Sequence, residues 1–186
     1  MYTKFTLFLI YLSVIFQMHG FSQKPAIPRI VKETSRAPDL IKKVFPYDIQ
    51  LKNSDGQIFN TATLFKKNNK ATVLLFWMTT CGPCRNELQA ISQKYAQWKK
   101  QLDFEFYPIS IDFSDRTEQF NNLVKGSKWT FPAYFDFNRE FRHVMAGELN
   151  GLPQLFVLNK KGDVIYHTRK YIPGDEDKLF EFLKSI

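Results

Sequence analysis

Both cysteines of the chain fall within four residues, Cys81-Gly82-Pro83-Cys84, inside the stretch WMTTCGPCRNEL at positions 77–88. Two thiols at that spacing can supply half of a metal site, staple a short loop, or cycle between dithiol and disulfide. A structural zinc site needs four ligands, usually with a second closely spaced Cys or His pair. The three histidines, His19, His143 and His167, are scattered and form no such pair. A staple that closes a loop of about four residues restricts the unfolded chain by only about 2 kcal/mol on loop-entropy grounds. The redox reading therefore depends on what surrounds the pair.

Those surroundings favour it. Residues 71–77 (ATVLLFW) are a continuous apolar run, too short for an independent helix and suited to a parallel strand covered on both faces. After the cysteines, Leu88, Ile91, Tyr95 and Trp98 recur at three- and four-residue spacing, the pattern of an amphipathic helix. Pro83 suits a first helical turn, where its missing N–H costs nothing. Cys81 then sits just outside a helix start. Unpaired N–H groups and the positive end of the helix dipole stabilise a thiolate at such a place. Cys84, one turn on, points inward as the less exposed thiol.

The rest of the chain frames this unit. With 186 residues, 44% of them hydrophobic and 16% aromatic, it can bury a core as one domain with flanking segments. Residues 1–22 read as a secretory signal: one lysine, a twelve-residue apolar run at 5–16, then Gly20 and Ser22 before a cut at Gln23. That run is short of the roughly twenty residues needed to span a bilayer. An uncleaved signal anchor is the alternative. Residues 23–44 carry six basic and two acidic side chains with three prolines, a basic linker ahead of a domain at 45–186. The net charge of +8 becomes +7 once Lys4 leaves with the signal. No aromatic and basic surface for nucleic acid is visible. An exported chain meets an oxidising compartment, where a disulfide persists.

Further elements alternate. Residues 104–111 read as a strand, 115–125 as a helix, 132–135 as a short extended piece, 138–146 as a helix, 154–158 and 164–168 as strands, and 175–185 as a final helix. Strands alternating with helices imply an α/β sheet.

Cys-Gly-Pro-Cys after a strand ending Phe-Trp resembles thioredoxin. Two further stretches resemble the secreted thiol-disulfide oxidoreductases of the TlpA and ResA type. Residues 47–64 (YDIQLKNSDGQIFNTATL) alternate toward an Asp55-Gly56 turn, like the hairpin ahead of the core in that family. Residues 151–167 (GLPQLFVLNKKGDVIYH) resemble its cis-proline strand and following hairpin. The resemblance implies a thioredoxin fold, a central mixed β-sheet flanked by helices with an N-terminal β-hairpin and the TlpA-type insertion. It implies Cys81 as nucleophile, Cys84 as resolving thiol, and Glu87 as a carboxylate that relays a proton to Cys84. A solvated glutamate favoured by the helix dipole is the alternative for Glu87. Leu75 stands where thioredoxin carries a buried aspartate. Leu152 and Pro153, with a cis bond between them, form with Trp77, Gly82 and Pro83 the surface that a substrate meets.

The resemblance further implies protein substrates bearing disulfides or thiols, a membrane redox donor, no cofactor, no metal and a monomer, in a bacterial periplasm. Its favoured direction is reduction, as in cytochrome c maturation, with disulfide oxidation or isomerisation as alternatives. Thr80 replaces a tryptophan common before the first cysteine, and Gln154 a threonine common after the proline, so the rim of the site departs from the family. A copper carrier using both thiols with His143 or His167 is a second class. A peroxidase of the peroxiredoxin type is a third, although Thr79 and Thr80 stand too close to Cys81 for its pattern.

Overall fold

In the computed structural model, which describes residues 47–65 and 70–186, the apolar run becomes strand β3 (Ala71–Trp77) at the centre of the molecule. Before it come β1 (Gln50–Asn53), β2 (Ile58–Asn60) and a short helix α1 (Thr61–Leu64). After it run α2 (Gly82–Gln101), β4 (Phe104–Ser110), α3 (Thr117–Ser127), β5 (Tyr134–Phe135), β6 (Gln154–Leu158), β7 (Val164–Arg169) and α4 (Asp175–Lys184). The seven strands form one mixed sheet in the order β2-β1-β5-β4-β3-β6-β7. β3 runs parallel to β4 and antiparallel to β6. The signal at 1–22 and the linker at 23–44 lie outside the described residues.

Both faces of β3 are covered, which is why its sequence is apolar without alternation. Val73, Leu75 and Trp77 face a core built with Leu88, Ile91 and Trp98 of α2, Phe120 of α3 and Leu179 and Phe182 of α4. Leu74 and Phe76 face a second core with Ile49, Leu51, Tyr107, Phe141 and Phe156. The side chains alternate across the sheet, so one strand serves both layers. α4 is seated on α2 through Trp98 and Phe180, whose rings stack at 5.1 Å. The ion pairs of Lys94 with Glu176 and Asp177, at 3.1 and 2.6 Å, join the same two helices.

The N-terminal hairpin forms as expected. Gly56 takes φ of 84°, a conformation that glycine adopts without penalty, and the Asn53 side chain accepts from the backbone N–H groups of Asp55 and Gln57. β1 then pairs with β5 and extends the sheet.

One expected helix does not form. Residues 138–146 fold instead as 3-10 turns, Glu140–His143 and Ala146–Leu149. Asp136 takes the N–H groups of Glu140 and Phe141 at 3.0 and 2.8 Å, donors that the start of any helical turn leaves free, so the break lies further along the segment. Met145 is extended, and Gly147, Glu148 and Leu149 all have positive φ. Phe141, Val144, Met145 and Leu149 are buried as one helix face would bury them, through two turns rather than a continuous cylinder.

Candidate active site

β3 delivers the chain to the end of the sheet at its own C-terminus, and the three residues after Trp77 lead into α2. Cys81 is the N-cap of that helix, with extended backbone (φ −84°, ψ 102°), and Pro83 lies in the first turn. The Cys81 sulfur accepts the N–H of Cys84 at 3.3 Å, one of the donors that a helix start leaves without an intrahelical partner. The two cysteines are joined in a disulfide with Cα atoms 5.3 Å apart. Cys84 is 0% exposed, whereas Cys81 is half-buried. A partner can therefore reach one sulfur and not the other. Gly82 is half-buried with open space where a Cβ would stand, and Pro83 is exposed, so both lie beside the accessible sulfur.

The loop into Cys81 is held from β4. Asp112, fully buried, accepts the Thr79 N–H at 2.7 Å, the Thr79 hydroxyl at 3.0 Å and the Ser110 hydroxyl at 2.6 Å. Sequence reasoning did not single out Asp112. Its signal was an acid two residues beyond a buried strand serine, which local patterns do not distinguish from a loop carboxylate. Asp112→Ala leaves three donors without their acceptor. It is expected to cost roughly 3 kcal/mol, since each buried donor left unsatisfied carries about 1–3 kcal/mol, and a fall in urea midpoint measures it.

A second loop arrives from β6. The Leu152-Pro153 bond is cis. β3 and β6 pair with Phe76 opposite Gln154, so the register carried one step further sets Pro153 beside Trp77 and Leu152 beside Met78. That is the approach to Cys81, and Leu152 packs against the core that holds both sulfurs. The Pro153 carbonyl accepts the Lys170 N–H at 2.9 Å. Leu152 makes no backbone hydrogen bond within the described residues. Its main chain is therefore unpaired within the described residues.

Glu87 is three residues beyond Cys84 on α2, and residues at that spacing share a helix face. It is 4% exposed, and its Oε2 has no hydrogen-bond partner among the described residues. Burial, with smaller contributions from the carboxylates of Asp175 and Glu176 at the start of α4, pushes its pKa up to about 8. The carboxyl is protonated at neutral pH and close to the range of an ordinary thiol.

Other expected positions fall elsewhere. Trp77 is fully buried and offers no surface to a substrate; its ring packs edge-on to Trp129 at 5.4 Å and tilts toward Phe120 at 5.9 Å, beneath the dithiol. His143 is exposed in a 3-10 turn. His167 stacks on Phe156 at 4.2 Å, on the sheet face opposite α2, and its Nε2 meets Gln154 Oε1 at 3.1 Å. Neither histidine joins the cysteines, and no group of three or more His, Cys, Asp or Glu side chains suited to a metal occurs among the described residues.

The profile of the AhpC/TSA family matches residues 41–167. The chain belongs to the AhpC/TSA family. Within it, the chain is 24% identical over 158 residues to the thiol-disulfide oxidoreductase ResA of Bacillus subtilis, covering 84% of this chain and 76% of that one. It is 30% identical over 120 residues to ResA of Bacillus thuringiensis, covering 63% of this chain and 64% of that relative. The solution structure of a thioredoxin-like protein from Porphyromonas gingivalis superposes with a TM-score of 0.61 at 27% identity, over 74% of this chain and 91% of that one. The mixed sheet flanked by helices is thus a thioredoxin fold. This AhpC/TSA member is a thioredoxin-like thiol-disulfide oxidoreductase, similar to the ResA proteins.

Proposed function

We propose that this oxidoreductase exchanges disulfides with protein substrates through the Cys81–Cys84 pair and works as a reductant. The observation that supports this most is a half-buried cysteine at a helix N-cap with a fully buried cysteine one turn behind it, joined in one disulfide.

In the reduced enzyme the helix start favours the Cys81 thiolate. That thiolate attacks one sulfur of a substrate disulfide; the substrate S–S bond breaks, a Cys81–substrate disulfide forms, and the first substrate thiolate leaves and takes a proton from solvent. Cys84, deprotonated by the ionised fraction of Glu87, then attacks the Cys81 sulfur and releases the second substrate thiol. The substrate gains two electrons and two protons, and the enzyme ends as the disulfide. The extended substrate segment pairs with the Leu152 main chain by strand addition. No third cysteine exists in the sequence, so a separate dithiol donor, at a membrane in this proposal, restores the reduced state.

The same reading makes 1–22 an export signal, 23–44 a tether and 45–186 the catalytic domain. It sets the protein in a bacterial periplasm as a monomer, with apocytochrome c maturation as the setting for the reductant. No helix of the described residues is long and apolar enough to cross a membrane.

Direction is tested by equilibrating the pair with glutathione buffers. A potential near that of thioredoxin, about −270 mV, supports the reductant; one near about −120 mV identifies an oxidant and overturns that part of the proposal.

A further inference from the structure

Three side chains converge on one residue just ahead of the cis-proline. The Asn150 carbonyl accepts Gln154 Nε2 at 2.8 Å and an Arg169 guanidinium nitrogen at 2.5 Å, and Asn150 Oδ1 accepts Arg142 at 3.2 Å. Gln154 is the residue at which the sequence departs from the threonine of its resemblance. It is 2% exposed, and its orientation follows from chemistry: the Asn150 carbonyl requires the NH2 end, which leaves Oε1 for His167 Nε2 at 3.1 Å.

Gly151 lies between this clamp and the cis bond. It has φ of +79°, and a Cβ there would meet the Arg169 guanidinium at 2.9 Å. The arginine therefore crosses directly over the glycine to reach Asn150. On the other side, the Lys170 N–H holds the Pro153 carbonyl at 2.9 Å. The loop is fastened at both ends, by Asn150 and by Pro153, while Leu152 between them keeps its main chain unpaired within the described residues.

We propose that Gln154 and Arg169 are positioning residues for substrate docking, which hold the loop 150–153 so that Leu152 presents a preformed edge to an extended peptide. The inference rests on the disulfide-exchange reading above. A loop already ordered before binding does not charge its ordering entropy to the encounter, so the clamp acts on affinity for a peptide and not on sulfur chemistry.

With dithiothreitol as the dithiol donor, the test compares Arg169→Met and Gln154→Leu with wild type on two substrates: insulin, whose chains can pair with the loop, and a small aromatic disulfide, which cannot. Arg169 is exposed, so its replacement does not threaten the core, and circular dichroism checks Gln154→Leu. KM for insulin is expected to rise about tenfold in each variant with kcat within a factor of two, given the ordering cost of a few side chains and a loop. Turnover of the small disulfide and the potential of the cysteine pair stay unchanged, and Arg169→Lys, which keeps a donor, recovers part of the loss. Unchanged insulin KM in both variants overturns the proposal. A parallel loss on both substrates, or a shifted potential, also overturns it, because the dithiol itself has then moved. Wild-type inactivity on both substrates would instead sink the disulfide-exchange reading, and this inference with it.

Discussion

Cys81→Ser is expected to bring insulin reduction down to the uncatalysed rate, while Cys84→Ser accumulates a covalent adduct with its substrate. The asymmetry follows from exposure: the sulfur of Cys84 is fully buried, and that of Cys81 is the one a partner can touch. Removing Cys81 removes the nucleophile, because Cys84 cannot reach a substrate disulfide through the packed start of α2. Removing Cys84 leaves the first attack intact and deletes the intramolecular thiol that would break the Cys81–substrate bond. With Cα atoms 5.3 Å apart, the pair is at disulfide-forming separation, so in wild type resolution competes well with any external thiol. Non-reducing electrophoresis and intact mass spectrometry of each variant incubated with insulin measure both effects. Turnover by Cys81→Ser, or a trapped adduct on Cys84 in that variant, would reverse the assigned roles.

Glu87→Gln is expected to stabilise the protein and to slow it. The carboxyl has an ordinary value of 4.5 and is pushed up to about 8 in the fold, chiefly by burial. Between those values the folded protein holds a proton that the unfolded chain has released, so stability falls as pH rises through this window. At about 1.4 kcal/mol per pH unit inside the window, the penalty at pH 7 is roughly 3 kcal/mol. Glutamine keeps the shape without the titration. Urea unfolding should show the variant gaining little at pH 4.5 and most at pH 8 and above. Asp136, also buried and pushed up to about 6, gives wild type and variant the same additional slope, so the difference between the two proteins isolates Glu87.

The functional cost has the opposite sign. A group with a value near that of a thiol can take the Cys84 proton with little driving force against it, and glutamine cannot. Loss of a positioned proton acceptor is worth about 100-fold or more, so release of the mixed disulfide should slow by that order and regain rate as pH rises above the thiol range. Single-turnover kinetics of adduct decay across pH 6–10 check this. Equal decay rates in the two proteins at pH 7 would leave Glu87 as a buried acid with no part in the reaction.

Much of the fold was legible before the structure, for identifiable reasons. β3 was readable because a strand covered on both faces must be apolar throughout, and α2 because Leu88, Ile91 and Trp98 repeat at helical spacing. The hairpin at β1 and β2 was marked by Asp55-Gly56, where a positive φ is needed. The helix expected at 138–146 is two turns instead, because burial of Phe141, Val144, Met145 and Leu149 is compatible with either. What divides them is the backbone, extended at Met145 and left-handed at Gly147, Glu148 and Leu149. The resemblance implies Trp77 at the substrate surface, yet strand alternation turns its ring into the core.

Alone, then, the amino-acid order determined the strand, the N-cap cysteine, the proline in the first turn and the inward-facing Cys84, because each depends on neighbours within one helical turn or one strand. The tertiary structure decided what those groups experience. The carboxylates acting on Glu87 come from Asp175 and Glu176, nearly ninety residues away, and the loop into Cys81 is tied to Asp112, two residues past the end of β4. The open Leu152 edge is likewise held by Arg169 of β7 through Asn150. Burial and through-space charge are properties of residues that only the folded sheet brings together, so no local pattern could carry them.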